Sequence, residues 1–247
     1  VELTATGTAL MARVQRLRLA REDVLREVAD LSQGKSGLLR IGAHPGTMDF
    51  PLAPACAELL KDAADLELVV TAMNARLLPA LRSGELDLIV HDAFAPQEDL
   101  VQEHLFNAPL VTYVAANHRL AKRKQVTIQD LAQERWTSGG NTQNRDTLAE
   151  LSLSSGNPAL RVGITSTSPS LGRYLVATAG LVGTTTRSNF KADASQYRFA
   201  EIRLKEFERV RRVHVSYRKD GYLSPAGCRM VEILKATVKK DAADLKS

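Results

Sequence analysis

Leu10, Val14, Leu17, Arg21, Val24, Val28 and Leu31 follow one another at alternating steps of four and three. That period of 3.5 keeps one face of a helix turned toward a partner helix, so residues 1–33 are predicted to form a long coiled-coil helix. Arg21 is the one polar residue on the seam, the kind of position that sets register at a cost in stability. Thr6 or Thr8 can cap the start, and Gly34 is placed to stop the helix. The alternative is an amphipathic helix packed on its own domain. The narrow seam and the charges on both flanks favour pairing with a second copy.

After the joint Gly34-Lys35-Ser36-Gly37 the pattern changes to short apolar runs separated by amphipathic stretches. Leu38–Gly42 reads as a buried strand, Phe50–Asp62 as a helix, Leu66–Ala72 as a strand, Arg76–Arg82 as a helix closed by Ser83-Gly84, and Leu86–Val90 as a strand. This β-α-β-α-β order implies a parallel sheet with right-handed crossovers. Further on, Leu105 with Leu110–Ala115 reads as one strand, and Leu160–Ile164, Leu181–Thr184, Phe199–Leu204 and Val210–Tyr217 read as others. Ile128–Ala132, Thr147–Leu153 and Ser170–Ala179 read as helices. Ser224 caps a last helix with Pro225 in its first position, running to about Lys240. Two small α/β lobes with a cleft between them are expected.

In such sheets ligands sit at the carboxyl ends of strands, where backbone groups and helix starts are free. The turn His44-Pro45-Gly46-Thr47 follows the first strand. Its N–H groups and the Thr47 hydroxyl suit an anion. His91-Asp92 follows the third strand. In the second lobe Thr137-Ser138-Gly139-Gly140-Asn141 precedes a helix and is rich in donors, and Ser166-Thr167-Ser168 stands between a strand and a helix. Each of these, singly, also reads as a helix cap. Their recurrence at strand ends of both lobes points to a shared site for a polar or anionic ligand. Glu85 and Asp87 flank Leu86 just before a strand and read as a solvated turn and a cap.

Composition narrows the function. The 247 residues are 44% hydrophobic but only 5% aromatic, so the core must be built from Leu, Val, Ala and Ile. A net charge of +5 is mild and is no nucleic-acid signature. Cys56 and Cys228 are far apart and define no disulfide framework or metal quartet. No apolar run reaches the length of a membrane span, and the first residues interleave Arg and Glu with apolar positions, which argues for a cytoplasmic protein. No nucleophile elbow, phosphate loop, metal-spaced histidine pair or carboxylate dyad stands out, so no enzyme class, metal or cofactor is suggested.

Six runs in order carry a family resemblance. They are Leu3–Leu10; Gly37-Leu38-Leu39-Arg40-Ile41-Gly42; Leu77-Leu78-Pro79-Ala80-Leu81-Arg82-Ser83-Gly84-Glu85-Leu86-Asp87-Leu88; His118-Arg119-Leu120-Ala121; Ile128-Gln129-Asp130-Leu131; and Tyr217-Arg218-Lys219-Asp220 followed by Leu223-Ser224-Pro225-Ala226. Together they resemble the LysR-type transcription regulators over nearly the whole chain. The chain departs from that pattern at Arg119, where the family usually has Pro, and at Thr185-Thr186, where it often has Leu-Pro.

The resemblance implies a linker helix at 1–33, then two Rossmann-like lobes as in type 2 periplasmic binding proteins. Lobe I would be 37–106 with 208–247, lobe II would be 107–207, and the crossovers would lie near Phe106–Ala108 and Lys205–Arg209. It also implies a small effector in the cleft between the lobes, and the low aromatic content fits an organic acid. Family pockets map onto His44, Pro45, Gly46, Thr47, Asn74 and His91, and in the second lobe onto Thr137, Ser138, Gly139, Asn144, Arg145, Ser166 and Thr167. The implied protein is a cytoplasmic homodimer or homotetramer that meets DNA only through a winged helix-turn-helix upstream of Val1. The alternative on the same architecture is a solute-binding protein of a transport system.

Overall fold

The nearly continuous apolar run of β1 (Gly37–Ala43) is interrupted only by Arg40 and turns its two faces to different surroundings. Leu39, Ile41 and Ala43 are fully buried on one face, while Leu38 on the other is nearly half exposed. β1 pairs in parallel with β2 (Leu66–Ala72) on one side and β3 (Leu88–Asp92) on the other. The computed structural model describes residues 4–33, 37–139, 160–193, 196–203 and 209–244.

The chain forms two units. Unit 1 comprises Val1–His44, Pro51–Leu105 and His214–Ser247, and unit 2 comprises Pro45–Phe50 and Phe106–Val213. The strand order in unit 1 is β2-β1-β3, continuing to the last long strand β9 (Val210–Arg218) and then β4 (Leu100–Ala115). Helices α2 (Ala53–Asp62) and α7 (Pro225–Asp244) pack on each other, and α7 also packs on β1. The short helix α3 (Leu77–Arg82) lies close over Gly42 of β1. A Cβ at Gly42 would come within 2.3 Å of Leu86 Cδ1 and 2.8 Å of Leu77 Cδ2, so a side chain there would have to displace these two buried leucines. As expected, the Ser224 hydroxyl caps α7, accepting from Gly227 N at 3.1 Å.

The first helix, α1 (Ala5–Gln33), belongs to unit 1. Its start is capped by Thr4, whose hydroxyl accepts from Gly7 N, rather than by Thr6 or Thr8. Leu10, Val14, Leu17, Arg21, Val24 and Val28 are exposed on it, while Leu19 and Asp23 are buried. The reading of a helix packed on its own domain holds for one side of α1, through Leu19 and Asp23, while the heptad positions are exposed. Leu31 lies within the helix.

In unit 2, β4 is flanked by β7 (Gly183–Thr186) and β8 (Phe199–Ile202), both antiparallel to it. A parallel pair, β5 (Arg135–Gly139) and β6 (Arg161–Ser166), stands beside them and is bridged to them between Trp136 and Val182. Helices α4 (Ile128–Ala132), α5 (Pro169–Ala179) and α6 (Arg187–Asp193) complete the unit. Trp136 is the centre of its main core, with Val114, Leu120, Leu131 and Val182 around it, and its indole N–H donates to Leu131 O at 3.0 Å.

Several sequence expectations change here. Thr137-Ser138-Gly139 is not a loop but the second half of β5, and Gly140 and Asn141 lie outside the described residues. Trp136 and polar Ser138 turn inward, and the short polar run hid the alternation. Leu105 and Leu110–Ala115 do lie on one strand, as expected, and that strand, β4, is 16 residues long. Its polar first half is accommodated because Glu103 accepts from the Tyr217 hydroxyl at 3.1 Å and pairs with Lys235. The chain leaves unit 1 between Leu105 and Phe106 and returns between Val213 and His214, inside β9, where the sequence reading placed the return at Lys205–Arg209. The helix expected at Thr147–Leu153 lies outside the described residues, and α6 was not foreseen.

Candidate functional site

The carboxyl ends of the parallel strands in unit 1 are fastened together by the backbone. His44 N donates to Val90 O and Met73 N to Ala43 O, both at 2.9 Å. These bonds bring His44, Asn74 and His91 to one edge of the sheet. Asn74 is half-buried, and its Oδ1 is a buried acceptor without a donor among the described residues. Such a bare acceptor is costly and marks a position that suits a hydrogen-bond donor.

His91 is differently placed. The sequence reading put it in a turn, but it is the fourth residue of β3 and only 3% exposed. Its ring stacks on Phe94 with centroids 4.1 Å apart. Nδ1 lies 2.6 Å from Asp92 O and therefore carries the proton, which leaves Nε2 to accept from Ser216 Oγ at 2.9 Å. Burial drives its pKa down to about 4, with the nearby His214 adding to the effect, so the ring is neutral at physiological pH. Both ring nitrogens are engaged within the protein, and the ring supports the strand end rather than offering a charge.

In unit 2 the segment Pro45–Phe50 forms two short irregular helical turns, with Pro45 and Thr47 buried. Asn189 of α6 holds it by donating from Nδ2 to Gly46 O at 3.3 Å, and Phe50 meets Phe106 edge-on at 5.5 Å. Arg173 of α5 pairs with Asp49 at 2.7 Å and with Asp193 at 3.3 Å. Burial raises the pKa of Asp193 even though Arg173 opposes the shift. Asn189 Oδ1 and Asp193 Oδ2 are further buried acceptors with no donor among the described residues.

The β5–β6 register sets Ser138 beside Thr165 and Gly139 beside Ser166, so Thr137, Ser138, Gly139, Ser166 and Thr167 gather at the ends of two parallel strands. Here the plain reading accounts for several hydroxyls. Thr137 bonds to Val182 O, Ser138 to Gly139 O, and Ser166 accepts from Ser168 N. Ser168 caps α5, accepting from Leu171 N. Asn144 and Arg145 lie outside the described residues.

Asn189, Arg173, Asp49 and Asp193 were missed by sequence reasoning. Helix α6 is only seven residues long, too short for a hydrophobic period to announce it. Arg173 and Asp49 are 124 positions apart, and nothing local links them. Among the described residues no group of three His, Cys, Asp or Glu is placed to hold a metal ion. No helix among them is long and apolar enough to cross a membrane.

Parallel strands with polar turns at their carboxyl ends, in two α/β units linked by two long strands, define a ligand-binding fold. The chain belongs to the LysR substrate binding domain family, which it matches over residues 32–239. It is 30% identical over 139 residues to the HTH-type transcriptional regulator YnfL of Escherichia coli K12, covering 54% of this chain and 46% of that protein. The chain thus spans about half the length of the curated relatives it matches. Among solved structures, the effector binding domain of QuiR in complex with shikimate superposes with a TM-score of 0.65 at 18% identity, covering 83% of this chain and 98% of that one. The Synechocystis PCC6803 CcmR regulatory domain in complex with 2-PG gives 0.69 at 18% identity with the same coverage. The fold is that of LysR effector-binding domains, of the type 2 periplasmic-binding-protein kind.

Proposed function

We propose that this chain is the sensing and oligomerisation region of a transcription regulator. It binds a small organic anion at its strand-end turns and passes the event to a DNA-binding domain elsewhere in the full protein. The observation that carries the reading is the gathering of polar turns at the carboxyl ends of parallel strands in a chain of this family: His44 and Asn74 in unit 1, and Gly46, Thr47, Ser138, Ser166 and Thr167 in unit 2. Family membership and relatives that are regulators favour this over a transport protein. Two fold neighbours hold shikimate and 2-PG, both small and anionic, which supports an organic acid as the ligand class. The exposed seam of α1 supports pairing of two copies through that helix. The reading assigns the protein no catalysis and places it in the cytoplasm.

A thermal-shift screen of small carboxylates and phosphorylated acids, shikimate and 2-PG included, tests the proposal. A compound that raises the melting temperature should lose at least tenfold in affinity, roughly 1.4 kcal/mol, in Thr47→Val and in Arg145→Ala. Binding that survives both substitutions would refute the assignment of these turns.

A further inference from the structure

The buried charges of unit 1 gather at the opposite edge of the sheet from His44, Asn74 and His91. Asp87 precedes β3 and lies at the amino ends of the parallel strands. It accepts from Arg40 N at 2.9 Å, from the Arg40 guanidinium at 2.8 and 3.2 Å, and from Arg26 of α1. Arg26 also binds Asp23, one turn earlier on its own helix. Asp23 in turn accepts both amino groups of Arg218, at 2.9 and 3.1 Å, and Tyr222 N at 3.3 Å. Two aspartates and three arginines thus tie α1 to β1, to the start of β3 and to the turn after β9.

Apolar packing completes the seat. Leu19 reaches into the turn at Gly84, whose φ of 74° is left-handed, and a Cβ there would lie 2.2 Å from Leu19 Cδ2. Arg18 donates to Ser83 O at 3.3 Å. At 100° per residue, Leu19, Asp23 and Arg26 project from the side of α1 opposite Leu10, Val14, Leu17, Val24 and Val28. The fixed face and the open face are back to back.

We infer that α1 and unit 1 move as one rigid body, with Asp23 and Asp87 as positioning residues that set the azimuth of the heptad seam. A single buried leucine grips without direction, since apolar contact is non-directional. The forked guanidinium–carboxylate bonds are directional and fix rotation about the helix axis. Strand β3 runs from this clamp to His91, about 13 Å at the usual rise per residue. A displacement of the strand end is therefore delivered to the seam through the clamp.

Spin-label distance measurements test the inference. One label sits on native Cys228 and the other on Met11→Cys, with Cys56→Ser removing the third thiol and excess unlabelled chain diluting pairs between copies. The parent should give one narrow distance population. Asp23→Asn with Arg26→Met should broaden it at least twofold while the circular-dichroism melt of the regulatory fold stays in place. Arg218→Met, which releases Asp23 from the other side, should broaden it too and carries the test if the double variant unfolds. A broad distribution in the parent, or an unchanged narrow one in the variants, overturns the clamp.

Discussion

Asp87 shows how a single side chain can be misread from its neighbours in sequence. Beside Glu85 it looks like part of a solvated turn, and Glu85 does lie exposed, pairing loosely with Arg76 at 3.4 Å. Asp87 instead is 7% exposed. Burial alone would raise its pKa, but the bonds from Arg40 and the charge of Arg26 outweigh that and hold it below the usual carboxylate range. Asp23 is lowered in the same way, its burial outweighed chiefly by Arg218. Their stabilisation is in place above the unfolded pKa of about 3.9 and is lost as pH falls through the depressed folded values. His91 acts in a separate window. The unfolded ring protonates near 6.5 and the folded one near 4, so stability declines as pH drops between those values. The gap is on the order of 3 kcal/mol. Urea titrations followed by circular dichroism from pH 3 to 7 should separate the two effects. His91→Gln should flatten the curve between pH 4 and 6.5. Asp87→Ala, which strands two arginines, should cost about 3 kcal/mol at neutral pH and progressively less below pH 4.

At the scale of the element, what was legible depended on length and on the partner. Helix α1 announced itself through seven seam positions, and the strands β1, β2 and β3 through compact apolar runs ended by turn residues. The docking side of α1 was not legible, because Leu19, Asp23 and Arg26 carry no apolar stripe; two of the three are charges whose partners, Asp87 and Arg218, lie 61 and 195 positions away. β5 was lost for a related reason. Its Trp136 is fully buried, but Thr137, Ser138 and Gly139 read as a loop until β6 is beside them. Trp136→Phe should destabilise the fold by about 1–3 kcal/mol, from the lost bond to Leu131 O and the void left behind, measured by chemical unfolding. The open seam makes a contrasting prediction. Leu17 is 72% exposed, so Leu17→Glu with Val24→Glu should leave the melting temperature of the regulatory fold within a degree or two. The same change should shift sedimentation at micromolar concentration from a dimer to a monomer. A dimer that persists would remove the seam from the account of assembly.

For the molecule as a whole, the sequence divides into two α/β units, the first of them in two pieces, but does not announce that a short upstream segment belongs to the second. The run Pro45–Phe50 is flanked by unit 1 residues on both sides and nevertheless belongs to unit 2. That unit therefore depends on a segment supplied from far upstream. Phe50 covers Phe106, Asp49 takes one side of Arg173, and Gly46 O takes the Asn189 amide. A fragment limited to 106–213 keeps the Trp136 core, β5–β6 and the pairing of β4 with β7 and β8, but it strips Asp49 from α5, Gly46 O from α6 and Phe50 from β4. Of its two carboxylate partners among the described residues Arg173 keeps Asp193 and loses Asp49, and buried groups that lose a hydrogen-bond partner are costly. Such a fragment should give dispersed amide resonances for the Trp136 core, while α5 and α6 exchange their amide protons at least tenfold faster than in the 247-residue chain. In the intact chain Asp49→Ala should produce a milder form of the same loosening, confined to those two helices. Equal protection of α5 and α6 in fragment and intact chain would mean that unit 2 is complete without the upstream segment, and that Thr47 and Gly46 are carried by unit 1 after all.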